Sequence, residues 1–161
     1  MLTGVVLPGG AGIPSLRFRP HFVPGAQFEC DAYYLESARI GFRPYPDGPL
    51  SWWRYADTHY GAPIVMRYTG LDRTARYRLR VVMPGETSTP ARRIAVRLVA
   101  DGKFEIHPYI EKPVPFRPLE FDIPAEATAD SELELRWNID PGTGGNGRGC
   151  QVSEVCLIRA R

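Results

Sequence analysis

The sequence predicts an all-β fold, an antiparallel β-sandwich of about eight or nine strands, in a single domain over residues 1–161. Three features carry that expectation. Apolar and polar side chains alternate with period two in one segment after another. Sixteen Gly and sixteen Pro fall between those segments as punctuation, not as low-complexity runs. No window sustains a 3.6-residue apolar period with caps.

The elements follow in chain order. Residues 1–25 show no periodic pattern and are expected to form an irregular extension. Residues 27–30 and 35–40 look like strands set in loops. Ile64, Val65 and Met66 open a strand that a turn at Gly70-Leu71-Asp72 closes. Tyr77, Leu79 and Val81 then alternate with Arg76, Arg78 and Arg80, so apolar chains face inward and guanidinium groups outward. Ile94, Val96 and Leu98 alternate with Arg93 and Arg97 up to Asp101-Gly102, a favoured hairpin dipeptide. In the strand after it, Phe104 and Ile106 share one face, while Glu105, His107 and Tyr109 share the outward one. Leu119, Phe121 and Ile123 alternate with Glu120 and Asp122; Leu133, Leu135 and Trp137 alternate with Glu132, Glu134 and Arg136. One helical turn fits residues 124–127. The run 151–159 is apolar on both faces, as a central strand requires. There is no internal repeat and no domain linker.

Composition excludes several classes. The hydrophobic fraction of 43% and charged fraction of 24% are ordinary for a globular domain, which argues against disorder. Eighteen of the twenty basic residues are Arg, yet eighteen acidic residues nearly balance them and the Arg are spread along strands. A nucleic-acid groove needs a basic patch or stripe, so no nucleic acid is expected. No apolar run approaches the roughly 20 residues of a membrane-spanning helix, and no membrane partner is expected. The first eight residues hold no basic group and no long apolar core, so no signal peptide is expected in this chain; secretion or a periplasmic location would require a lost leader. Of the three cysteines, Cys150 and Cys156 stand six residues apart in one extended run. That is roughly 20 Å, beyond disulfide reach. Cys30 could pair with either, but buried thiols acting as small hydrophobes are the favoured reading.

Several stretches together resemble a known family. They are Arg97-Leu98-Val99-Ala100-Asp101-Gly102, Glu105-Ile106-His107, the run from Pro118 to Pro124, and the ending from Gly144 to Ile158. This pattern resembles the galactose-binding-like jelly-roll modules attached to large bacterial glycan-degrading enzymes, over roughly residues 52–161. The resemblance implies a non-catalytic accessory module of the jelly-roll type. It implies carbohydrate binding (polysaccharide or oligosaccharide) through loops at one end of the sandwich. It also implies a structural calcium ion in some members and, in others, a bracing role beside another domain of a larger enzyme.

Residue chemistry supplies candidate sites. Within residues 51–60, Trp52, Trp53, Tyr55, His59 and Tyr60 put five rings beside Arg54 and Asp57. Sugars have apolar C–H faces and polar edges, which rings flanked by Asp, Arg or His can match. In an extended segment Trp53, Tyr55, Asp57 and His59 face one way. The competing reading is that these rings plug the end of the sandwich. His107 and Tyr109 would extend the surface on their outward face, or simply form a solvated strand face. The loop 141–149 holds five Gly around Asn146 and Arg148. These two could bind sugar hydroxyls or carboxylates, or Arg148 could pin the loop to Glu154. It is not a phosphate loop, because no Gly-Lys-Ser/Thr follows. Glu29, Asp31 and Glu36 with Glu154 offer hard oxygen ligands for calcium, without EF-hand spacing. No other cofactor is expected.

Catalysis has little support. Gly-x-Ser-x-Gly and His-Glu-x-x-His are both absent. The leading reading is thus a carbohydrate-binding accessory module. The alternative is a structural or protein-interaction β-sandwich without a small ligand. A small hydrolase or lyase comes third, and it would need a deep pocket joining Asp57 and His59.

Overall fold

A computed structural model describes residues 21–22, 39–84, 94–142 and 148–160. These residues form an all-β, antiparallel sandwich. Its strands are β1 (His21–Phe22), β2 (Arg39–Phe42), β3 (Arg54–His59), β4 (Ile64–Thr69), β5 (Arg76–Val82), β6 (Ala95–Ala100), β7 (Phe104–Glu111), β8 (Leu119–Ile123), β9 (Glu132–Ile139), β10 (Arg148–Val152) and β11 (Glu154–Ala160). They pair into three sheets of order β1-β11-β5-β8, β10-β3-β2 and β4-β9-β6-β7. Eleven strands and three sheets exceed the eight or nine strands and two sheets expected from sequence. Among the described residues, β1 and β3 are strands the sequence pattern did not assign, and a further strand arises at Ser153. The run read as one strand breaks there, giving β10 to one sheet and β11 to another. The Ser153 amide, between them, donates to the Val82 carbonyl at 2.9 Å. The two-residue β1 lies in the stretch that sequence left unread, β2 overlaps the end of the strand expected at 35–40, and residues 27–30 and 35–38 fall outside the described ones.

The period-two pattern sets the layers. On β5, Tyr77, Leu79 and Val81 are buried while Arg76 and Arg78 are exposed. On β9, Leu133, Leu135, Trp137 and Ile139 are buried at every second position. These two sets meet Ile64, Met66, Val96, Leu98, Val155 and Leu157 in one core, and Trp137 within it has no exposure. Burying such side chains contributes roughly 1.5–3 kcal/mol each against leaving them in water. β11 lies between β1 and β5, as the two-faced apolar run requires. The hairpin at Asp101-Gly102 closes with φ of 50° and 63°. That is the double positive-φ turn whose twist suits antiparallel neighbours. The helical turn expected at 124–127 is a 3₁₀ turn over Ala125–Thr128.

One strand departs from its simple alternation. Leu98 pairs with His107 but Val99 with Glu105, and Val96 with Ile110, so β7 carries two extra residues against β6. Each bulge shifts the side-chain parity. His107 consequently faces inward at 3% exposure, and does not share an outward face with Glu105 and Tyr109. Its ring lies 4.5 Å from the Phe121 ring. Its Nδ1 lies 2.8 Å from the Pro108 carbonyl oxygen, and its Nε2 is buried without a partner. Pro108, which has no amide hydrogen, is tolerated because β7 is an edge strand.

Burial holds the His107 pKa below its ordinary value of 6.5, against a smaller upward pull from the Pro108 carbonyl and from Glu105. The fold therefore binds this proton less well than the unfolded chain does. The stabilising contribution is complete above the ordinary value and is lost as pH falls through it, by at most about 1.4 kcal/mol per pH unit. Urea titrations of wild type and His107→Phe at pH 7.5 and 5.5 are expected to show a smaller acid loss in the variant. Equal losses would rule this account out.

Candidate functional site

The ring-rich segment 51–60 does not form one platform. β3 is the middle strand of its sheet, and Tyr55, Ala56, Asp57 and Thr58 are all buried. Tyr55 and Asp57 therefore do not face solvent, which corrects their assignment as ligand contacts. A central strand is covered on both sides, so alternation in β3 chooses between two interiors. Asp57 accepts a hydrogen bond at 3.4 Å from Gln151 Nε2. His59 is exposed at the far end of β3, beside an exposed Tyr60 whose ring lies 6.3 Å away. Trp53 stands six residues back, roughly 20 Å along the strand. Asp57 is thus buried while His59 is exposed, whereas the hydrolase reading required a pocket joining them.

Arg148 pairs with His59 across β10 and β3 through the backbone; its side chain, and all of Asn146, fall outside the described residues. Tyr109 is 41% exposed on the edge strand. Glu154 was expected to bind calcium or Arg148. Its Oε2 accepts from Trp52 Nε1 at 3.0 Å and Ser51 Oγ at 3.3 Å. Glu29, Asp31 and Glu36 lie outside the described residues. Among the described ones no group of three His, Cys, Asp or Glu is arranged to hold a metal.

A cleft opens instead at the end of the sandwich where Trp52 sits. It has a volume of about 250 Å³ and is lined by Arg43, Pro44, Tyr45, Trp52, Pro84, Val114, Pro115 and Phe116. Three segments build it: the loop from β2 to β3, the end of β5, and the connection from β7 to β8. The first is shaped by proline and glycine. Pro49 precedes a 3₁₀ turn over Leu50–Trp52, in which the Trp52 amide donates to the Pro49 carbonyl. Tyr45 and Gly48 close a turn at 3.0 Å. A Cβ on Gly48 would lie 2.4 Å from Tyr45 Cδ1 and 2.9 Å from Trp52 Cε3, so only glycine lets the loop lie against both rings.

The rings are arranged as a half-buried wall. Tyr45 is stacked on Trp52 at 6.2 Å and 23°, and lies 4.7 Å from Phe116 at 46°. Glu154 fixes the Trp52 indole from behind. Trp53 braces this loop without lining the cleft, since its Nε1 donates to the Tyr45 carbonyl at 3.0 Å and its ring meets Phe42 edge-on. Arg43 is the one charged residue of the lining, and no described carboxylate pairs with it. Chemically, the cleft offers apolar ring faces and one guanidinium donor fork.

Sequence reasoning found Trp52 and Trp53 but assigned the platform to Trp53. It missed Tyr45 and Phe116. The available signal was aromatic residues set between prolines: Pro44-Tyr45-Pro46 and Pro115-Phe116.

Beside Thr58, toward the other end of β3, Cys150 has no exposure and forms no disulfide. Burial pushes its thiol up to about 12, which nearby Lys112 only partly offsets. The thiolate is the reactive species. Native protein at pH 8 is therefore expected to leave Cys150 unmodified by iodoacetamide, and denatured protein to modify it within minutes. Peptide mapping that found Cys150 alkylated in the native state would contradict this.

No family model and no curated protein sequence matches this chain. Solved structures do. The extracellular domain of ANXUR2 from Arabidopsis thaliana superposes with a TM-score of 0.58 at 8% identity, covering 80% of this chain and 41% of that one. A family GH115 4-O-methyl-alpha-glucuronidase with specificity for decorated arabinogalactans superposes at 0.55 and 10% identity, covering 98% of this chain and 19% of that one. A family 35 carbohydrate-binding module from Clostridium thermocellum gives 0.48 and 10% identity, covering 78% and 90%. The chain thus spans about two fifths of the receptor ectodomain. At these identities the likeness is one of fold: this chain shares a β-sandwich with parts of receptor and glycan-processing proteins.

Proposed function

We propose that this domain is a non-catalytic carbohydrate-binding module, of the galactose-binding-like jelly-roll type, that takes a sugar chain in the cleft of Tyr45, Trp52 and Phe116. The observation that carries this reading is the cleft itself. Three half-buried rings line a volume of about 250 Å³ at the loop end of the sandwich. Ring faces stack on the C–H faces of a pyranose, and Arg43 supplies donors for its hydroxyl or carboxylate oxygens. The ring wall holds no nucleophile beside a base, so the site is built for holding a ligand. Titration calorimetry against a broad panel of plant and bacterial polysaccharides tests it. Binding to at least one is expected, and a folded protein that binds none would sink the reading.

A specific observation favours a second reading, a protein-interaction surface. Phe42, Leu50 and Val114 are 62%, 74% and 72% exposed, and Val114 lines the cleft itself. Exposed apolar residues grouped at one end fit a protein contact. Under that reading Leu50→Asp and Val114→Asp would abolish partner capture, while no polysaccharide would compete for it.

A further inference from the structure

The cleft wall formed by residues 113–118 has little of its own to hold it. Pro113, Pro115 and Pro118 carry no amide hydrogen. Among the described residues, no hydrogen bond joins 113–118 to the rest of the fold. Yet Phe116 is placed 4.7 Å from the Tyr45 ring.

The residue that leads into this wall is Lys112, at 8% exposure. Its Nζ donates to the Pro84 carbonyl at 3.0 Å, and Pro84 lines the cleft too. The same Nζ donates to Gln151 Oε1. Gln151 has no exposure, and its Nε2 donates to Asp57 Oδ1 at 3.4 Å. One ammonium thus ties the root of the 113–118 wall to a second cleft segment and, through two buried side chains, to β10 and β3. A buried ammonium is costly to desolvate, and an apolar chain would fill its space without that cost. Hydrogen bonds to two fixed acceptors, the Pro84 carbonyl and Gln151 Oε1, give it a geometric role that an apolar chain lacks.

We propose that Lys112 is a positioning residue for the cleft. Its side chain fixes the proline-rich wall so that Phe116 meets Tyr45, and Tyr45 meets Trp52, before any ligand arrives. The consequence for sugar affinity rests on the carbohydrate reading; the positioning itself does not.

The test uses protein labelled with 5-fluorotryptophan and ¹⁹F NMR. The Trp52 line is assigned from Trp52→Phe and the core Trp137 line from Trp137→Phe. In Lys112→Met the Trp52 line is expected to shift or broaden while the Trp137 line stays in place. Affinity electrophoresis in xylan, arabinogalactan and β-glucan gels is expected to show at least a tenfold loss in the variant wherever wild type is retarded. If Lys112→Met does not fold, Gln151→Met removes one acceptor of the ammonium and is read by the same lines. An unmoved Trp52 line overturns the proposal whatever the gels show. Trp52 and Trp137 lines moving together overturn it as well, because the role is then general stability. A moved Trp52 line with no retardation of wild type in any gel leaves Lys112 its role and removes the carbohydrate reading.

Discussion

Trp52→Ala is expected to weaken binding of the domain's best polysaccharide by about 2 kcal/mol or more, roughly thirtyfold in Kd. The indole lines the cleft, is stacked with Tyr45, and is held from behind by Glu154 at 3.0 Å. It is therefore oriented before the ligand arrives, and removing it deletes a face that cost little to order. The fold should lose much less. Trp52 is half-exposed and lies outside the core that Trp137 anchors. Trp53→Ala separates the two tryptophans. That side chain touches the Tyr45 carbonyl and the Phe42 ring, so its loss should loosen the loop and weaken binding less steeply. Tyr60→Ala, at the far end of β3, should leave affinity unchanged. Calorimetry on the three variants checks the order. A Tyr60→Ala effect larger than that of Trp52→Ala would move the site to the other end of the sandwich.

The fold was legible in the sequence where one face of a strand meets water. β5 and β9 alternate cleanly because their outward positions carry Arg, Glu and Asn, and their inward positions carry aliphatic and aromatic residues. Legibility failed in two physical situations. On β3 both faces are covered, so the parity that grouped Trp53, Tyr55, Asp57 and His59 was no guide to exposure. On β7 two bulges shifted the parity itself and turned His107 inward, which periodicity cannot register. The cleft was half legible for a third reason. Phe116 lies 71 residues after Tyr45 and 64 after Trp52; Pro, Gly48 and the buried Lys112 bring the rings together, and no local pattern reports such a meeting. The aromatic density around Trp52 pointed to the end of β3 where the cleft lies. The partners Tyr45 and Phe116 follow only from the fold.

Trp137→Ala is expected to be the most damaging single change to stability, at roughly 3–5 kcal/mol. The indole is the largest side chain with no exposure, on a strand that pairs with both β4 and β6. Its loss opens a cavity that two neighbouring strands, each locked by ladder hydrogen bonds, cannot collapse to fill. Since whole-domain stability is commonly about 5–15 kcal/mol, the variant is expected to unfold far more readily. Trp137→Phe should behave differently. Trp137 Nε1 is buried without a hydrogen-bond partner, and an unsatisfied buried donor costs roughly 1–3 kcal/mol. Phenylalanine removes that donor along with part of the ring, so a gain offsets part of the lost packing. Denaturant titration of both variants measures the difference. If Trp137→Phe falls as far as Trp137→Ala, the indole N–H is satisfied in solution and the offset does not exist. If Phe holds close to wild type, the core tolerates the smaller ring, and what it requires at this position is bulk and not the indole's polar edge.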